Sequence, residues 1–146
     1  KWIWECWSVI DMEKLVIPDV SPSVNHMYIN RTVYYVDKTG QKRMKRIRVM
    51  TPEAQKWFDN AVILTNLWRN RNKWQTAKGK VIVRLWFYFP AKNHGDTHNG
   101  LKALMDAFEE ALIYENDKKA LPRIMDYEVD RNNPRIEVEF ERMDNK

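Results

Sequence analysis

Residues 81–112 read VIVRLWFYFP AKNHGDTHNG LKALMDAFEE AL, and the change of hydrophobic period within them decides the fold class. Val81 to Phe89 is a nearly unbroken apolar run of β-branched and aromatic residues stopped by Pro90, which predicts a strongly apolar strand. A polar loop, Lys92 to His98, follows. From Asn99 to Leu112 the period becomes helical. Leu101, Leu104, Met105, Phe108, Ala111 and Leu112 make one apolar stripe, while Lys102, Asp106, Glu109 and Glu110 face away from it.

Upstream, Thr51-Pro52-Glu53 starts another helix, with Thr51 as N-cap and Pro52 in the first turn. It runs to about Asn70 and buries Trp57, Ala61, Leu64 and Trp68. Before it, Thr32 to Val36 and Lys42 to Val49 read as a hairpin turned at Lys38-Thr39-Gly40. Leu15-Val16-Ile17 is a short strand closed by Pro18. Downstream, Pro122 opens a strand through Val129, Asn132-Asn133-Pro134 turns it, and Arg135 to Glu141 returns with Ile136, Val138 and Phe140 inward, a final hairpin. Together these predict a single α+β domain, a mixed β-sheet with two main helices. Residues 1–11, with Trp2, Trp4 and Trp7, differ in composition and precede Met12, a plausible start; they read as an N-terminal extension to a domain spanning 12–146.

The chain of 146 residues is large enough to bury one core. Its longest apolar runs fall short of the roughly 18 residues that span a bilayer, so no membrane partner is expected. Lys1 to Val9 carries Glu5 and has neither an apolar h-region nor a cleavage site, which argues against a signal peptide. Cys6 is the sole cysteine, so neither an intrachain disulfide nor a cysteine-based zinc site is possible. A cytoplasmic location fits.

Charge divides the chain in two. Up to Gly95 there are 17 Lys and Arg against 7 Asp and Glu, a net of +10; from Asp96 onward there are 8 against 13, a net of −5. A basic first part suits a polyanion such as nucleic acid. An acidic second part suits a metal site or a solvated surface.

The chemistry-bearing residues lie where these parts meet. Asp96 and His98 supply an oxygen and a nitrogen donor beside a helix N-terminus, and Lys102 follows His98 by four residues, on the same face if the helix includes His98. A divalent cation held there would activate a water, and Lys102 would stabilise charge growing on a phosphate. The same residues also make an ordinary capped turn. Asp117 lies just past the helix, and periodicity does not establish whether the chain brings it back.

The string Asp96-Thr97-His98-Asn99-Gly100-Leu101-Lys102, with Asp117 further on, resembles the signature of the RusA family of Holliday junction resolvases: Asp, any residue, Asp, Asn, two residues, Lys, then a distant Asp. Asp106 to Leu112 looks like that family's helix end, and Pro22 to Tyr28 is similar to its N-terminal Pro and Asn loop. The resemblance covers nearly everything from Met12 onward and implies a metal-dependent endodeoxyribonuclease that resolves four-way junctions in recombination or repair by paired symmetric nicks. Carried across, Asp96, His98, Lys102 and Asp117 are catalytic, Asp96, His98 and Asp117 hold the metal, and Asn99 orients the loop. The family has Asp where this chain has His98. A neutral imidazole removes one negative charge and favours Mn2+ relative to the usual Mg2+.

Lys38, Lys42, Arg43, Lys45, Arg46 and Arg48 put six basic residues into an 11-residue stretch without an acid. On a hairpin they suit a DNA backbone, though charge runs also serve as solvated surface. Lys42, Arg43, Lys45, Arg46, Arg48, Asn25 and Tyr28 are the candidate DNA contacts. A junction's two-fold symmetry calls for a homodimer, with the apolar face of the second helix or final hairpin as candidate interface. The alternative is a dimeric DNA-binding module of the same fold whose cleavage site has weakened at His98; a structural or regulatory protein with no nucleic-acid partner is a third reading.

Overall fold

The computed structural model describes residues 12–21, 27–92 and 94–143; the expected extension at 1–11, Asn25 and His26 lie outside them. Strand β4 (Val81–Phe89) is the centre of a four-stranded sheet. On one side β5 (Ala120–Val129) pairs with it in parallel; on the other β6 (Arg135–Arg142) pairs antiparallel, and β1 (Leu15–Pro18) lies outside β6. The order is β1-β6-β4-β5. The sheet is mixed, as expected.

One face of the sheet makes the core. Val81, Val83, Leu85, Phe87 and Phe89 join Leu15, Ile17, Ile136, Val138 and Phe140 there. Helices α1 (Pro52–Arg71) and α2 (Leu101–Glu110) complete the same cluster, through Trp57, Ala61 and Trp68 on one and Leu104 and Phe108 on the other. Ring centroids of Trp68 and Phe108 lie 5.0 and 4.9 Å from Phe140. α1 begins as its sequence demands: Thr51 accepts a hydrogen bond from the Ala54 amide at 3.2 Å, Pro52 opens the helix, and Arg69 and Arg71 sit in the last turn, where cations favour the dipole.

The other sheet face is polar. Arg84 bridges Glu139 and Glu141 (3.3 and 2.9 Å), Arg135 bridges Glu137 and Asp130 (both 2.8 Å), and Lys14 lies over the Trp86 ring. Trp86 is therefore half-buried beneath a lysine on this face, whereas Trp57, Trp68 and Trp74 are core.

Several expectations change. β5 and β6 are not a hairpin: β4 lies between them and satisfies its backbone hydrogen bonds on both edges, with β5 on one side and β6 on the other. Leu64 is only half-buried; Thr65 takes the inward place and satisfies its hydroxyl by donating to Ala61 O at 2.7 Å. A 3-10 turn, Thr97–Gly100, precedes α2, and Leu112 lies beyond the helix, exposed, with a left-handed backbone (φ 63°). The two faces expected to pair subunits, the α2 stripe and the inward residues of β6, are already buried inside the domain.

Strands β2 (Tyr28–Val36) and β3 (Lys42–Met50) form a separate two-stranded sheet. Tyr28 opens β2 rather than lying in a loop. Nine residue pairs at a strand's rise make an arm about 30 Å long. Its tip is well tied: Asp37 Oδ1 accepts from the Thr39 and Gln41 amides at 2.9 and 3.0 Å, Arg43 Nε donates to Asp37 Oδ2 at 2.8 Å, and Gly40 supplies the positive φ of 83°. These bonds hold the Asp37 carboxyl down to about 2, with the Thr39 hydroxyl contributing most.

Candidate active site

β4 delivers the chain to the site, and α2 carries it. After Phe89 the loop reaches Asp96, which caps the 3-10 turn: its Oδ1 accepts from the His98 amide at 3.0 Å and meets His98 Nδ1 at 3.0 Å. The backbone bond, then the imidazole, hold the Asp96 carboxyl below its usual range, so it is ionised near neutrality. Nδ1 is thus the ring nitrogen engaged with Asp96. The Asn99 backbone N–H donates to Asp96 O at 3.1 Å, and the Asn99 side chain lies beside Gly95.

Asp117 does come back. Lys102 Nζ donates to Asp117 Oδ2 at 2.5 Å and to Asp106 Oδ1 at 2.9 Å. The Asp117 amide in turn donates to Glu109 Oε1 at 2.6 Å. Lys102, Asp106 and Glu109, spaced by four and three, are one ridge of α2, and this ridge docks the short 3-10 turn Asp117–Lys119 that precedes β5. Asp106 and Glu109 were expected only to face away from the apolar stripe, and Lys102 to face a phosphate. They line a seam instead, and the signal that could have revealed it is an acid four residues after the motif lysine and a second acid at the next turn.

The electrostatics of the seam are unequal. Lys102, two-thirds exposed, is pushed above its usual value by Asp117 first and Asp106 second, so it stays an ammonium. The Lys102 hydrogen bond lowers Asp117. Asp106 rises, because burial outweighs its share of the same ammonium. Beneath them Tyr114 is wholly buried and donates its hydroxyl to Met105 O at 2.7 Å; burial keeps it neutral.

Four motif residues thus arrive as two pairs: Asp96 with His98 at the 3-10 turn before α2, and Lys102, in the first turn of α2, with Asp117. Two carboxylates and an imidazole are a donor set suited to a divalent cation. They are not gathered around one point as they stand: among the described residues, no three His, Cys, Asp or Glu side chains form such a group, and one oxygen of Asp117 is occupied by Lys102.

The basic candidates lie on the arm. Alternation along β3 puts Lys42, Arg46 and Arg48 on one face and Arg43 and Lys45 on the other. Arg43 braces the tip through Asp37. The Arg48 guanidinium covers the Tyr28 ring at 4.7 Å, so that ring is not a bare stacking surface. Arg31, on the face of Arg43 and Lys45, is a further basic residue that the count of the Lys38–Arg48 run overlooked. No helix among the described residues is long and apolar enough to cross a membrane.

No curated protein matches the chain closely enough to count as a relative. Residues 26–141 match the family Endodeoxyribonuclease RusA, and that span takes in the arm, both helices, the motif at 96–102 and Asp117. With the match running over most of its length, and with the motif lysine and the distant aspartate meeting as they do, this chain belongs to the RusA endodeoxyribonuclease family.

Proposed function

We propose that the protein is a divalent-metal-dependent endonuclease that resolves four-way DNA junctions by paired, symmetric phosphodiester hydrolysis as a homodimer. The observation that carries this reading is the Lys102–Asp117 contact, which joins residues 15 positions apart in sequence into one charged site. Asp96, His98 and Asp117 would hold the cation, Mg2+ or, given the imidazole, Mn2+. When bound, it would polarise the phosphate and lower the pKa of a bound water.

The chain's own residues do the rest. Asp96 is kept ionised by the hydrogen bonds it accepts from His98. Lys102 keeps its charge and, at the exposed side of α2, can meet the non-bridging oxygens of a scissile phosphate as they gain charge. Asp106 holds the ammonium in place, and Glu109 holds the backbone at Asp117. The arm supplies Lys42, Arg46 and Arg48 to the phosphates of one duplex, releasing counterions on contact.

A second reading has two observations in its favour. His98 stands where the family has Asp, and among the described residues the donors are not clustered, which suits a dimeric DNA-binding module with weakened cleavage. A labelled synthetic four-way junction incubated with Mg2+, with Mn2+ and without metal separates the two. The enzyme gives paired opposite-strand nicks with metal, lost in Asp96→Asn. Salt-sensitive binding with no nicks in either metal would overturn it in favour of the module. His98→Asp, if the imidazole is a ligand, shifts the preference towards Mg2+.

A further inference from the structure

The two faces of the β2–β3 arm are not alike towards its tip. Cross-strand partners share a face, so Tyr34 with Met44 and Val36 with Lys42 stand together, backed by Arg46 and Arg48 further down. The apolar members are bare: Tyr34 is 77% exposed, Met44 69% and Val36 64%. A solvent-facing strand end has no use for an aromatic, a thioether and a valine side by side. The turn beyond them is held by Asp37 and Gly40, so they form a fixed platform rather than a floppy end.

The charge around this platform selects its occupant. β2 and β3 carry Arg31, Lys42, Arg43, Lys45, Arg46 and Arg48 and no acid. A second copy of the arm would bring like charges face to face, which is destabilising. An apolar patch ringed by cations fits a polyanion that also offers flat apolar surfaces. Stacked duplex hides those surfaces; unstacked bases present them, and side chains wedged between base steps are a known way to hold DNA open.

Resting on the junction-resolving reading above, we propose that the arm tip is a stacking wedge for branched DNA: Tyr34 and Met44 take an unstacked base at the branch point, and Lys42, Arg46 and Arg48 grip the flanking phosphates. The wedge would make junctions preferred over duplex, because only the branch offers a free base face. The cleavage residues on α2 need no selectivity of their own.

The test compares the full-length protein with Tyr34→Ala/Met44→Ala, both in metal-free buffer at one salt concentration. The DNAs are a four-way junction carrying 2-aminopurine beside the branch point and a duplex of the same arms. The wild type should prefer the junction and change the 2-aminopurine fluorescence. Loss of one stacked base should weaken junction binding by roughly 5- to 150-fold. Duplex affinity should stay within about threefold and the salt slope should not move, since phosphate contacts remain. Both substituted side chains are exposed, so folding should be unaffected.

An unchanged junction preference or fluorescence response in the variant would overturn the wedge alone. A parallel fall on junction and duplex would do the same, because the tip would then be a general DNA surface. Dissociation of the variant into smaller species in sedimentation would assign the platform to a second copy. A wild type with no junction preference would bring down the junction-resolving reading and the wedge together.

Discussion

β4 and the paired strands of the arm are each nine residues long, yet they live in opposite environments. β4 keeps every second residue at or near zero exposure beneath two helices. Along β2 nothing is fully buried, and most of β3 is open to water. A two-stranded ribbon on its own is marginal in water. The arm persists because Tyr28 and Met50 at its base pack against the domain and Asp37 ties its tip. The domain holds the candidate site; the arm presents exposed side chains. Stability resides in the domain, and the proposed recognition surface lies on a different part of one small chain.

Substitution should separate the two sharply. Phe108→Ala, in the core between α2 and the sheet, should cost about 3–5 kcal/mol in urea denaturation, as buried aromatics do. That is a large share of the roughly 5–15 kcal/mol of a typical domain. Val33→Ala on the arm should cost well under half as much. Equal losses would mean that arm and domain unfold as one unit.

Next in size is the seam. Asp106→Asn should lower nicking about 10- to 100-fold, as removing a supporting partner generally does, while leaving metal-free junction binding within about twofold. In a Lys102→Met background the same change should have almost no further effect, since contacting residues couple rather than add. Full additivity would mean that Asp106 acts without Lys102.

Smaller again, Arg46→Ala should weaken junction and duplex binding alike and reduce the slope of log affinity against log salt by about one, read by titration at three salt concentrations. An unchanged slope would remove Arg46 from the phosphate contacts. The smallest effect concerns acid. Asp37 titrates near 2 in the fold, below the usual 3.8, so its contribution is complete above about pH 4 and is lost as pH falls towards 2. Protection of the Thr39 and Gln41 amides, measured against their intrinsic exchange rates, should fall over that window in the wild type and be low throughout in Asp37→Ala.

Much of this was readable from periods and caps. The period of Leu101 to Phe108 located α2, Thr51-Pro52-Glu53 located the start of α1, and the motif resemblance from Asp96 to Lys102 marked the candidate site. Each is local: a cap, a helix face or a four-residue step is decided within a few residues, and residue order carries that information directly. Strand order was not local. Asn132-Asn133-Pro134 looked like a hairpin turn, but nothing near it tells that β4, some 40 residues earlier, would slot between β5 and β6.

The seam of α2 was hidden for the same reason. Lys102, Asp106 and Glu109 look like a solvated face until the turn at Asp117 folds onto them, and only burial of the helix's other side forces that turn back. The sequence by itself determined the elements and the concentration of cations in the arm, because short-range sterics and composition suffice for those, and the family motif was legible in it only as a resemblance. Tertiary structure decided which strands pair, which charges meet and which face of the arm carries Tyr34 with Met44, because those depend on packing between segments far apart in the chain.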